Sequence, residues 1–512
     1  MRRLLLLFFM LPVLILSCAF HELAIAPIEL SDATPITVKS PVKAHLMDGS
    51  TIVFAEGVTV KDGRVFGAGR KYDILLVASV QIAEVALADV AAMESFQTPV
   101  DAVTTGVVTV GVSAGAVVGG TLLFKAIFGS CPTTYSIDAG VPVLEAESFS
   151  YSIAPSFEAR DVDRLGINPG VGNSIALEMH NEALETHYIN HVELLEVIHS
   201  REESVYLDHK GRPVVVNALL APDAVRDRSG RRLDRIVGSA DDVAWRTDGE
   251  YLKDVSGDME DYVDLEFTVP ATTDEVALFL RLRNSLLNTI LLYEVMLKGQ
   301  GFRALDWMAN DLNRLVTKYR LGYWYNKRMG MRILVRDKYG RYRKVARLPD
   351  TGPIAWNELV VRLPAVKGEK LHVRLAFIAD NWRIDHLALA TTVGRAKTRP
   401  IPLSRVANSE NAEISKAPGN LRAADDAYVI TKPGDMMHLQ FDVGSVPQDR
   451  KRTFFLATEG YYIEWMRRDW LEKTSTSAFV PNDTALLRAL ALWAPRRNAY
   501  REQFELMRIL IR

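Results

Sequence analysis

Cysteine is nearly absent, with Cys18 and Cys131 the two in 512 residues. A disulfide framework is therefore excluded as the source of stability, which must come from packing. A chain this long buries most of its surface without covalent staples. Neither sign of charge is in excess: 61 Lys and Arg against 63 Asp and Glu give a net charge of −2. That balance lacks the concentrated basic surface of a nucleic-acid binder, so no nucleic-acid partner is expected. No repeat of 20–50 residues is visible, which argues against a solenoid or a propeller. What remains is the composition of an ordinary globular protein, 48% hydrophobic and 24% charged, long enough for about three domains.

The chain opens with Met1-Arg2-Arg3, an apolar run over residues 4–16 broken only by Pro12, and then Ile15-Leu16-Ser17-Cys18. A spanning helix needs about 20 apolar residues, so this run reads as a cleaved export signal over residues 1–17. An ordinary cleavage site wants small residues at −3 and −1, and Ile15 occupies −3. The four residues resemble the lipobox of bacterial lipoproteins. That resemblance implies a diacylglycerol on the Cys18 thiol, cleavage just before it, a membrane lipid as partner and a place in the cell envelope. Ala19, where inner-membrane retention takes Asp, implies the outer membrane. An ordinary signal peptide and an uncleaved anchor are the alternatives. With Cys18 acylated, Cys131 has no partner in its own chain.

After a tether over 18–35, residues 36–98 carry short β-forming runs separated by Asp48-Gly49, Glu56-Gly57 and Asp62-Gly63. Asp-Gly between β-formers signals a hairpin because Gly accepts the positive φ of a tight turn. This predicts a small SH3-like or Sm-like barrel or meander. Residues 102–124 hold no charge, within a Gly-rich apolar segment over 102–128. Gly111, Gly115 and Gly119 would share one helix face and admit a close neighbour. Two readings stand: a membrane-associated helix or hairpin, and a buried apolar segment. From 131 to 395 apolar and polar residues alternate, as in Val263-Asp-Leu-Glu-Phe-Thr-Val and Leu371-His-Val-Arg-Leu-Ala-Phe, which predicts a β-sandwich, jelly-roll-like, with a helical insertion over 285–318. A polar linker is expected over 396–425 and a β/α segment with terminal helices over 426–512. The expected class is mainly β with α insertions.

Cys131-Pro132-Thr-Thr-Tyr135, Glu145-Ala-Glu147, Asn181-Glu182-Ala-Leu-Glu185-Thr-His-Tyr188, His199 and Asn381-Trp-Arg-Ile-Asp385-His-Leu resemble β-rich bacterial envelope proteins. Similar segments follow the propellers of ASPIC/UnbV-type secreted proteins. The resemblance spans roughly residues 130–465 and implies fold and location more than activity. This chain lacks the propeller and any Asp-x-Asp-x-Asp-Gly loop, so calcium is not carried over.

Several motifs carry chemistry on paper. Gly111-Val-Ser113-Ala-Gly115 matches a nucleophile elbow, but no βαβ pattern follows to supply an Asp and a His. His180, His187, His191, His199 and His209 fall within thirty residues, and His187 and His191 with Glu185 could hold zinc on a helix. The alternating context instead predicts a strand, which sets those histidines well apart. Asp254, Asp258, Glu260, Asp261 and Asp264 fit no EF-hand and read as a solvated face. Residues 166–172 lack the Lys of a phosphate loop. Trp307, Tyr319, Tyr323, Trp324 and Tyr325 are either core or a stacking surface. No cofactor is expected. The expected role is a non-enzymatic envelope scaffold, assembly or ligand-binding protein with a protein partner. The alternative is a hydrolase using Ser113 or zinc near His187 and His191.

Overall fold

The computed structural model describes residues 36–38, 42–46, 48, 50–54, 56–72, 79–95, 131–138, 140–167, 173–253, 259–272, 275–301, 303–364, 368–425, 427–467, 470 and 477–501. Cys18, Ser113 and the Gly-rich segment lie outside them. The protein is mainly β with helical insertions, as its alternating patterns predict. Among the described residues, no helix is long and apolar enough to cross a membrane.

The N-terminal module holds β1 (Ile36–Val38), β2 (Val42–Leu46), β3 (Thr51–Phe54), β4 (Val58–Lys61), β5 (Arg64–Tyr72), β6 (Ser79–Ala86) and β7 (Val90–Ser95). They form one sheet in the order β1-β4-β5-β3-β2-β7, with β6 on the other edge of β5. Asp62 and Gly63 both adopt positive φ and close a two-residue hairpin between Lys61 and Arg64, as expected. Glu56-Gly57 does something else. It joins β3 to β4, which lie in sequence along the same edge of β5 and do not pair with each other. Long β5 can serve both because it is glycine-bent: a Cβ on Gly69 would come within 2.6 Å of the Phe54 ring. The module seats on the next domain through Val53, Leu184 and Trp465, with Lys43 buried over the Trp465 ring.

The rest of the chain is one domain nested inside another. β8 (Thr133–Asp138), β9 (Val141–Glu147), β10 (Ala159–Arg164), β11 (Ser174–His180) and β12 (Glu185–Ser200) begin the outer domain. The chain then leaves for almost two hundred residues. This insert holds β13 (Ser204–Asp208), β14 (Pro213–Leu220), β15 (Ala224–Asp227), β16 (Glu260–Thr268), β17 (Val276–Asn284), the helix α1 (Leu315–Met329), β18 (Met331–Arg336), β19 (Tyr342–Leu348), β20 (Asn357–Leu363), β21 (Lys370–Ile378) and β22 (Trp382–Arg395). The chain returns as β23 (Arg399–Asn408), β24 (Val429–Thr431), β25 (Met436–Asp442), β26 (Arg450–Glu464) and the helix α2 (Asp483–Trp493).

The outer strands run β10-β26-β12-β23-β25-β11-β8-β9, with β24 also on β12. β23 pairs with β12 through residues 399–402 and with β25 through residues 403–408, so it passes from one half of the sheet to the other. The halves face each other across Ile175, Leu177, Ile189, Leu194, Leu439 and Leu456, which makes a sandwich cornered by one strand that switches sheets. The expected linker over 396–425 is therefore corrected. Ile401 and Leu403 alternate inward between exposed Pro402 and Ser404, and the polar face of this strand masked its period. The C-terminal part is likewise no separate segment, since β25 and β26 complete the sandwich.

In the insert, β13-β14-β22-β17-β20 close a barrel, sealed by the parallel pair β13–β20, and β15-β16-β21-β18-β19 form a second sheet. Strand β17 serves both sides: Leu278, Leu280 and Leu282 pack toward the second sheet, Ala277 and Phe279 into the barrel. A third core welds the insert to the outer domain. Leu287, Ile290, Met296, Trp307 and Trp324 of the helical stretch meet Tyr135, Leu144 and Trp470, with Leu486 and Trp493 of α2. Each such side chain contributes about 1.5–3 kcal/mol on burial. The helical stretch thus continues past 318, through α1.

Candidate functional site

Strand β10 lies at the edge of the sandwich, hydrogen-bonded to β26 on one side only, and its other side faces the insert. Between them opens a cleft of about 1100 Å³, walled by β10, the β13–β14 hairpin, the start of β20 and the loop that precedes it. Residues two apart on a strand share a face, and Asp161 and Asp163 both line the cleft. Asp161 accepts hydrogen bonds from the backbone N–H of Phe149 (2.8 Å) and of Val162 (2.9 Å). Asp163 is buried, and its Oδ2 has no hydrogen-bond partner within the protein. Burial pushes both carboxyls above the usual carboxylate range, and at Asp163 the neighbouring Asp161 and Glu147 push further.

Around these two acids several arginines are held by carboxylates. Arg164 pairs with Glu358 at 2.7 Å and Arg212 with Asp208 at 2.6 Å. Arg281 on β17 reaches the barrel end, where it binds Asp385 and, at 2.8 Å, Asp242. Trp356, just before β20, lies against both Arg281 and Arg283, with guanidinium carbons 4.8 and 4.5 Å from the ring centre. These contacts hold the Trp356 ring rigidly at the cleft wall.

A second, apolar cavity of about 350 Å³ adjoins the first, and Ser150, Tyr151, Pro349 and Asp350 line both. Asp350 is fixed between them, accepting from Tyr325 Oη (2.5 Å), the side-chain amide of Asn288 (3.2 Å) and the backbone of Gly352 (3.0 Å).

The residues singled out for zinc behave differently. Glu185 and His187 do meet, with Oε1 and Nε2 2.7 Å apart, and Glu185 also accepts from the backbone of Cys131 at 2.5 Å. Burial raises Glu185 to about 8 and lowers His187 to about 3, so the contact is a neutral hydrogen bond and not an ion pair. Glu185 and His187 line neither cavity. His191 is turned away. A bulge between Ile189 and His191 reverses the alternation of β12, so Ile189 faces the sandwich core while Leu195, in phase with His191, faces out of it. Among the described residues, no three His, Cys, Asp or Glu side chains are placed to share a metal ion. The chelating arrangement of Glu185, His187 and His191 is thereby corrected, and the serine elbow at Ser113 lies outside the described residues. Of the aromatic cluster, Trp307 and Trp324 are core, while Tyr319 and Tyr323 are exposed on α1.

Nothing local in the sequence singles out Asp161, Asp163, Arg281 or Trp356 as neighbours. One signal was present: Ala159-Arg-Asp-Val-Asp-Arg164 places charge on both faces of a strand whose neighbours are apolar.

No protein-family model matches the chain, and no curated protein matches it. Among solved structures it is similar to the crystal structure of a GH31 alpha-xylosidase from Xanthomonas citri, at 10% identity, over 83% of this chain and 38% of that one, with a TM-score of 0.17. The chain spans well under half the length of that enzyme, and so slight a likeness assigns it neither fold nor activity.

Proposed function

We propose that this chain is a lipid-tethered envelope protein that binds a hydroxyl-rich ligand, such as a glycan, in the cleft between its sandwich and its insert. One observation carries the reading: the buried Oδ2 of Asp163 makes no hydrogen bond within the protein, in a cleft where Arg164, Arg212 and Arg281 are each held by a carboxylate. Arginines already held by carboxylates still carry N–H donors, and the carboxyls carry acceptors, which suit ligand hydroxyls. A buried polar atom left unpaired costs about 1–3 kcal/mol, and a ligand hydroxyl recovers it. Trp356 adds a flat apolar face beside these groups.

Titration of maltotriose and other soluble oligosaccharides by calorimetry tests this. Asp163→Ala should weaken binding roughly tenfold, in keeping with the loss of about 1.4 kcal/mol of hydrogen bonding. Absence of saturable binding to any of them would sink the reading. Turnover of a bound glycoside, lost in Asp163→Asn, would replace it with a hydrolase. The tether is tested by labelling cells with a fatty-acid analogue: Cys18→Ala should abolish labelling, and undiminished labelling would remove Cys18 as the anchor.

A further inference from the structure

The apolar cavity beside the cleft has no part in binding a purely polar ligand. Its apolar walls are Ile153, Phe157, Leu292, Met296 and Leu321, and Asn288 and Tyr325, which also line it, hold Asp350 at the end shared with the cleft. A volume of about 350 Å³ is within the range that holds a small molecule. Gly322 also lines it, midway along the fifteen-residue helix α1. Glycine weakens a helix interior, yet no positive φ or steric clash requires it there, since a Cβ would meet only the Phe157 ring at 3.5 Å. What a larger residue would do is fill the cavity.

We propose that this cavity is an apolar subsite of the cleft, and that the ligand is an amphiphile. Its hydroxyl-rich head lies against Asp163 and Trp356, and its alkyl or other apolar end passes Tyr151 and Asp350 to lie under α1. The proposal rests on the cleft being a binding site. It adds that affinity comes from both halves of the molecule: burial of the apolar end expels water from apolar walls, while the head is positioned by hydrogen bonds.

Dodecyl maltoside below its micelle concentration, maltotriose and dodecanoate serve as probes, titrated into the full chain. Dodecyl maltoside should bind at least tenfold tighter than maltotriose, and dodecanoate more weakly than the glycoside. Gly322→Leu should erase the tenfold margin and leave maltotriose affinity unchanged. Leu292→Trp, which fills the cavity from a different element, should do the same, and melting curves report whether each variant is folded. Dodecyl maltoside no tighter than maltotriose would overturn the apolar subsite and leave the cleft standing. Dodecanoate as tight as the glycoside would overturn the amphiphile in favour of a lone fatty-acid pocket. No binding of either sugar would overturn the subsite and the cleft together, and folded cavity-filled variants that bind dodecyl maltoside like the wild type would overturn the subsite alone.

Discussion

Glu185 keeps a proton to about pH 8 in the folded chain, against an ordinary value of 4.5. The unfolded chain releases that proton near 4.5, so the stability this group contributes is complete below that point and declines as pH rises toward 8. His187 has the opposite sign. Held down to about 3 by burial, it contributes fully above 6.5 and loses that contribution as pH falls. Between 6.5 and 8 the Glu185 slope is therefore unopposed by His187, at about 1.4 kcal/mol per pH unit. Glu185→Gln keeps the acceptor for Cys131 and has no proton to lose. Thermal melts from pH 6.5 to 8 should be flatter for the variant by that slope, and equal slopes would refute a protonated Glu185. Arg281 and Asp385 allow a second test at the same scale. Asp385 is fully buried and Arg281 keeps Asp242 without it, so Asp385→Ala should cost about 1–3 kcal/mol through the lost charge-assisted hydrogen bond, while Arg281→Met with Asp385→Leu should recover much of it. Denaturant midpoints of the single and double variants decide this.

At the scale of the element, the bulge of β12 depends on its neighbour. Gly460 of β26 stands opposite Ile189, and a Cβ there would lie 2.4 Å from the carbonyl oxygen of Tyr188. Gly460→Ala should therefore lower stability by about 1–3 kcal/mol or force the register to slip, which denaturant unfolding measures. An unchanged midpoint would mean that the strands have room to part. Elements of this kind divide what a sequence reveals from what it conceals. Leu371-His-Val-Arg-Leu and Asp62-Gly63 announce a strand and a turn because their chemistry is local. The bulge does not announce itself: Asn190 is an unremarkable residue, and the phase of β12 is set by Gly460, some 270 positions away. The same holds for the cleft. Asp161, Arg281 and Trp356 belong to three separate stretches, and only the nesting of the domains makes them one surface. β23 was hidden for a different reason, since its prolines, serine and arginine face outward and only its inward face is apolar.

At the scale of the whole molecule, the shared core sets cooperativity. Helices of the insert and α2 of the outer domain bury their side chains in one cluster, and Trp493 of α2 donates to Asp380 of the insert at 2.7 Å. Outer domain and insert should unfold in a single calorimetric transition. The N-terminal module, seated through Val53, Leu184 and Trp465, should give a smaller one. Enthalpies near 0.7 kcal/mol per residue distinguish the two, and two large transitions would mean that sandwich and insert stand alone. Trp493→Ala should broaden or split the large transition.

The pairing of β12 with β26 also bears on the order of events during synthesis. Fifteen residues of β12 bond to a strand that begins 250 positions after the end of β12. A ribosome would have added some 250 residues beyond β12 before the central strand of the sandwich met that partner. Contacts so distant in sequence are slow to form, and until then β12 presents an open edge that invites capture by other chains. The sandwich of such a protein stays incomplete until that late strand is made. That delay would suit the export proposed for it, because a secretory pore accepts an extended chain, and it would require a holding chaperone to cover the waiting strand.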